Sequence, residues 1–257
     1  MTATPALPES DRFHALDAAR AFALLLGIVL HATMSFFLPI PARDVSQSTT
    51  LALVFYVIHS FRMSLFFLIA GFFAHRLLHR RGTRGFVADR AKRILVPMTA
   101  GWLLLAPITI AILIWGLSRT FPGVSASAAN DAAAPTGFPL THLWFLYYLC
   151  LFYALTLTLR AGFVAWLDRE GTLRTRIDTL VGTLLALGLM PVVLAAPLCA
   201  LLYSSPDWPL WFGIPTPDHG LQPQLPALLG YGAAFGFGWL LHRRREWLDV
   251  LRRQWAI

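Results

Sequence analysis

The stretch RFHALDAARAFALLLGIVLH, residues 12–31, sets Asp17, Arg20 and His31 into the apolar run that begins at Leu16. At 100° per residue, the eleven positions from Arg20 to His31 return to within roughly 20° of the same direction, and Asp17 lies within roughly 40° of His31. All three therefore share one helix face. Their rise spreads Arg20 and His31 over roughly 16 Å of the helix axis. A helix of this kind inside a membrane needs a partner, a water-filled cavity or a function for each charge.

The rest of the chain supplies the membrane context. Of its 257 residues, 57% are hydrophobic and only 13% charged, where soluble domains carry about 25% charged residues. Apolar runs able to cross roughly 30 Å of hydrocarbon are expected at residues 16–38, 51–74, 94–117, 142–164, 180–203 and 225–241. The fold class expected is all-α: one polytopic membrane helix bundle of six transmembrane helices. The last run, LGYGAAFGFGW, is glycine-rich and suited to close helix packing.

The net charge of +8 reads as topology. Arg76, Arg80, Arg81, Arg84, Arg90, Lys92 and Arg93 follow the second run, Arg169, Arg174 and Arg176 the fourth, and Arg243, Arg244, Arg245, Arg252 and Arg253 the sixth. Arg43 and Arg119 alone fall on the other side, so both termini are expected in the cytoplasm. No aromatic-basic module for nucleic acid separates from these charges. Cys150 and Cys199 sit in apolar runs and give neither a disulfide framework nor a metal site. The N-terminus lacks the pattern of a cleaved signal peptide. The link at residues 118–140 reads as a mobile loop, and Trp208, Trp211 and Phe212 as an interfacial segment or a lid.

Further candidates come from the other runs. His59 and Arg62 lie one turn apart near mid-membrane, and an arginine at that depth needs a carboxylate, a phosphate or a polar cavity. An antiparallel second helix brings them to the depth of His31. Arg90 and Arg93, at the inner mouth of the third run, serve either topology or a phosphate dock. His142 and Trp144 open the fourth run, as an aromatic belt or as acceptor contacts. Asp17 and Arg20 form either an interfacial ion pair or part of a polar path, with Asp17 orienting. No GxSxG, Walker, HExxH or GxGxxG motif is present, which removes serine-hydrolase, NTPase, zinc-protease and dinucleotide readings.

The residue 12–31 stretch resembles the first helix of the membrane-bound acyltransferase 3 family, whose mark is an arginine and a histidine separated by ten residues, here Arg20 and His31. SFRMSLFFLIAGFF (60–73), DRAKRILVP (89–97) and HLWFLYYL (142–149) resemble later helices of that family in the same order, and GWLLHRRRE (238–246) and Arg62 resemble its periplasmic-glucan succinyltransferase branch. The resemblance implies transfer of an acetyl or succinyl group from cytoplasmic acyl-CoA to a carbohydrate hydroxyl across a bacterial inner membrane. It also implies a catalytic His31 supported by Arg20. Acyl-CoA is then a donor substrate, with no permanently bound cofactor, and the other partners are a carbohydrate acceptor and the bilayer; a second copy or a partner subunit is left open. Family members commonly have about ten helices, so a six-helix chain is expected to be a truncated version of that fold. A transporter or export component using the same buried charges, or an inactive remnant, is the alternative.

Overall fold

The computed structural model describes residues 14–36, 47–120, 140, 143–204, 213–217 and 220–254, and every described element is helical. His142, Arg43, Trp208, Trp211, Phe212 and nearly all of the 118–140 link lie outside these residues. Helix α1 (His14–Met34) has 21 residues, a length of about 31 Å that matches the hydrocarbon thickness. Helix α2 (Thr49–Arg90) begins at Ser48, whose Oγ accepts a hydrogen bond from Leu51 N, while Ser48 N donates to the Phe36 carbonyl. That bond ties the start of α2 to the end of α1. Leu30 then packs with Phe55 and Ile58, and Leu16 packs into the cluster around Phe72, so the two helices form an antiparallel pair.

The second helix runs well past the expected 51–74. Its last part is the segment read as a basic link, and the only non-helical backbone inside it is at Gly82 (φ 64°, ψ −179°). Arg81 and Asp89 pair across that break at 2.9 Å, and Phe86 is buried beyond it. A π-helical turn, Ala91–Leu95, leads into α3 (Val96–Thr120). Pro97 explains the wide turn: it lacks an N–H, and its ring crowds the carbonyl four residues earlier. Much of α3 is exposed, including Leu103, Leu104, Ile108, Ile112 and Trp115, as suits a helix solvated by lipid.

Helix α4 (Trp144–Leu159) continues through a second π-helical segment, Arg160–Leu167. The expected span at 180–203 is not one helix. Helices α5 (Thr172–Ala186) and α6 (Met190–Tyr203) meet at a 100° bend. Gly188 adopts φ 68°, its N–H bonds the Leu185 carbonyl and Leu189 N–H bonds the Leu184 carbonyl, a glycine-terminated helix end followed by Pro191 in the first turn of the next helix. Helices α7 (Leu225–Arg243) and α8 (Trp247–Gln254) are the last described elements.

Three helical stretches among the described residues are long and apolar enough to cross a membrane: His14–Met34, Thr49–Gly116 and Trp144–Leu167, and the bent α5–α6 pair passes the same test only when its two helices are taken together. The expected second and third spans both fall in the continuous Thr49–Gly116 stretch, and the expected sixth is α7, which does not join this set. The chain is therefore a helical membrane protein.

Helix α7 is held against α2 by direct backbone approach. A Cβ on Gly71 would collide with the Phe235 carbonyl, and a Cβ on Gly238 with the Leu68 carbonyl. These reciprocal contacts, three residues apart on each helix, are the small-residue packing that lets helices associate within lipid. Around them Phe67 stacks on Tyr231 with ring centroids 4.9 Å apart and meets Phe152 edge-on at 5.3 Å. Gly238→Ala should cost on the order of 1–3 kcal/mol by forcing the backbones apart. Gly236, whose Cβ would meet open space, provides the control: Gly236→Ala should be neutral or slightly stabilising. Thermal unfolding of the two variants in detergent measures the difference.

Asp168 anchors the turn before α5. The buried carboxylate accepts bonds from Leu173 N (2.9 Å), Arg174 N (3.1 Å) and Arg174 Nε (2.7 Å). Burial by itself pushes this carboxyl up, but the Leu173 and Arg174 bonds and the arginine charge outweigh it and hold it below its ordinary value. A carboxylate with a lowered folded pKa stabilises the fold above its unfolded value of about 3.9, and that contribution disappears as pH falls through the folded value. Melting temperatures of the wild type and Asp168→Asn should therefore differ fully at neutral pH and converge below about pH 4.

Candidate functional site

One cavity of about 1230 Å³ runs along the α1–α2 pair and is bounded on its other side by α4, the π-helical turn and Thr109 of α3. Its floor is a single face of α2: Phe55, His59, Arg62, Phe66, Ile69, Phe73, Arg76 and Arg80, spaced by three and four residues as one stripe of a helix requires. Helix α1 adds Arg20, Leu24, His31 and Met34, again one stripe. Arg20 and His31 thus line the cavity together, with their side chains exposed in it, while Phe22, Leu25 and Ile28 of the same helix, 57%, 61% and 69% exposed, do not line it.

The cavity has two polar ends and an apolar middle. At one end His31, His59 and Arg62 converge. The His59 ring stacks on Phe55 at 5.5 Å, and Arg62 lies against α1 so closely that a Cβ on Gly27 would strike its Nη1. At the other end stand Arg76, Arg80, Arg81, Arg90 and Arg93 with Asp89. The distance along α2 from Arg62 to Arg76 is about 21 Å, and to Arg80 about 27 Å. Between them the lining is Phe66, Ile69, Ala70, Phe73, Leu77, Phe145 and Leu149, with Arg20 entering from α1.

Charge is unevenly matched. Among the described residues seven arginines line the cavity against one carboxylate, Asp89, and that carboxylate is already engaged by Arg81 at 2.9 Å and Arg93 at 3.2 Å. Arg90 lies over the rings of Phe86 and Tyr153, its guanidinium carbon 5.7 Å and 5.2 Å from their centroids. The buried Nε atoms of Arg62 and Arg90 have no hydrogen-bond partner among the described residues. Planar forks held in this way are suited to anions, bidentate phosphate or carboxylate above all.

Of the residues singled out from sequence, Arg20, His31, His59, Arg62, Arg90, Arg93 and Trp144 all line this cavity. Asp17 does not: it is exposed, and no ion pair joins it to Arg20 among the described residues. Trp144 is buried, 5.6 Å from Tyr231 and 6.0 Å from Tyr148 between ring centroids, so it belongs to the core and the cavity wall, not to a lipid-interface belt. Sequence reasoning passed over Arg76 and Arg80 because they read as topology charges; the signal was their place on the stripe that begins at Phe55. Asp89 and Tyr153 gave no signal before the Gly82 break and the α4 packing placed them at the cavity.

A family model described as an acyltransferase domain matches residues 13–257. The protein called glucans biosynthesis protein C from Escherichia coli (strain SMS-3-5 / SECEC) is 34% identical over 140 residues, covering 53% of this chain and 36% of that relative. Its counterpart in Shigella dysenteriae serotype 1 is 33% identical over the same shares. The match thus spans about a third of the length of these curated relatives. No solved structure matches significantly. With the arginine-histidine stripe on α1, the cavity it faces and a family match across nearly the whole sequence, the chain belongs to the membrane-bound acyltransferase 3 family.

Proposed function

We propose that this protein is a membrane O-acyltransferase moving an acetyl or succinyl group from cytoplasmic acyl-CoA to a hydroxyl of an extracytoplasmic carbohydrate, such as a periplasmic glucan or surface polysaccharide, in a bacterial inner membrane. The observation that carries this reading is the division of one cavity into an arginine-rich end and a histidine end separated by an apolar passage. A donor with an anionic head, a long flexible arm and a reactive thioester at its tip fits that division. The arginine end, with Arg76, Arg80, Arg90 and Arg93, takes the phosphates, and the arm lies along Phe66, Phe73 and Phe145.

At the histidine end, His31 acts as general base. It takes the proton from the acceptor hydroxyl as the oxygen attacks the thioester carbonyl, forming the new C–O bond. The tetrahedral intermediate collapses with cleavage of the C–S bond, and the proton on His31 passes to the departing sulfur to give the free thiol. Arg62 supplies a cation to the developing oxyanion or to a carboxylate on the acyl group, and Arg20 steadies the donor part-way along. Transient acylation of His31 itself would use the same groups in two steps. His59 and Trp144 bound the acceptor side.

His31→Ala should lower acyl transfer by about two to four powers of ten, with the protein present at wild-type level in the membrane. The assay follows a labelled acyl group from acyl-CoA onto isolated polysaccharide. Wild-type transfer by that variant would remove the catalytic assignment, and label that crosses the membrane without becoming covalently attached would identify a transporter.

A further inference from the structure

The closeness of Gly27 to Arg62 assigns a role to a residue that has no functional group of its own. Gly27 is buried on α1, on the same stripe as Arg20 and His31: it follows Arg20 by seven positions and precedes His31 by four. The contact that a side chain at Gly27 would make first is with Arg62 Nη1, and the next is with Arg62 Cζ. The guanidinium therefore occupies the notch that the missing side chain leaves in α1. Its axial offset from His31 is about 6 Å, against roughly 16 Å for Arg20.

Nothing else described fixes the guanidinium in that place. Arg62 forms no ion pair among the described residues, its buried Nε lacks a partner there, and the titratable groups acting beside it are Tyr231 and His59, neither of them a carboxylate. An arginine stem has four rotatable bonds and many open rotamers. A notch in the facing helix is what selects one of them.

We infer that Gly27 is a positioning residue that seats the Arg62 guanidinium on α1 one helical turn from His31, which makes Arg62, and not Arg20, the cation that faces the reacting carbonyl. The role in transfer rests on the function proposed above; the seat itself does not. A methyl group at position 27 would push the guanidinium out of the notch while leaving its charge in the cavity. Misplacement by about 1 Å can cost on the order of a hundredfold in rate.

A double-mutant cycle between Gly27→Ala and Arg62→Ala tests this, read on two observables in purified protein. The first is melting temperature in detergent. Gly27→Ala should lower it in the wild-type background and leave it unchanged in the Arg62→Ala background, where the notch has no occupant to displace. The second is acyl transfer. Gly27→Ala should lower kcat by about a hundredfold, with KM for acyl-CoA within about twofold, and should have no further effect on Arg62→Ala. Arg62→Lys provides the conservative control: the shorter, single-headed side chain ends before the notch, so Gly27→Ala should change its activity little. Additive losses in melting temperature would show that Gly27 serves helix packing and would overturn the seat. Coupled melting temperatures with additive losses in kcat would overturn the catalytic placement of Arg62. A wild-type protein that transfers no acyl group would overturn the proposed function, while the melting cycle would still decide the seat.

Discussion

A guanidinium or imidazole placed in hydrocarbon loses its hydration, at a cost of some kcal/mol even by lenient insertion measures. Among the described residues seven arginines and two histidines line one cavity in a largely apolar helix assembly, and gathering them there answers that cost. The α1–α2 pair is the element that does so. Its two polar stripes face each other across the cavity, and its apolar faces point to the core or to lipid. Without that orientation each charged side chain would require a separate partner, and among the described residues Asp89 is the only carboxylate lining the cavity.

Packing keeps the stripe of α2 in place. On the side away from α1, α2 is locked to α7 through Gly71 and Gly238, whose backbones touch the opposing carbonyl regions, and the aromatic cluster of Phe67, Trp144, Tyr231 and Phe235 fills the remaining space. The rotation of α2 about its axis is thereby fixed, which determines where His59 and Arg62 point. The Gly82 break and the π-helical turn before Pro97 then carry Asp89, Arg90 and Arg93 back to the cavity's arginine-rich mouth. Local backbone irregularities thus place functional groups, a frequent use of π-bulges.

Much of this was readable from the amino-acid sequence because helical periodicity is a strong constraint. The common face of Arg20 and His31 follows from an eleven-residue spacing alone, and the depth of Arg62 follows from its distance to the helix end. The misreadings have physical causes too. The arginines after residue 75 read as link charges because charge usually ends a span, yet Leu78 and Phe86 anchor that segment to the core and keep it helical. The bend at Gly188 was signalled by GLMP, but the apolar composition on both sides masked it. Trp144 lies at the beginning of its helix, where an aromatic belt is the usual role; only the docking of α7 shows that Tyr231 covers it. Gly27 carries no sequence signal at all, since its meaning depends on which side chain the neighbouring helix presents.

The central claim is that the side chains of His31 and Arg62 meet water inside the protein and not lipid. Substituted-cysteine accessibility tests it most directly, in a background lacking Cys150 and Cys199, with a charged, membrane-impermeant thiosulfonate that reacts with thiols in water. The account predicts that thiols introduced at positions 31 and 62 are modified, whereas one at position 28, on the outer face of the same helix as His31, is not. Equal resistance at all three positions would contradict it.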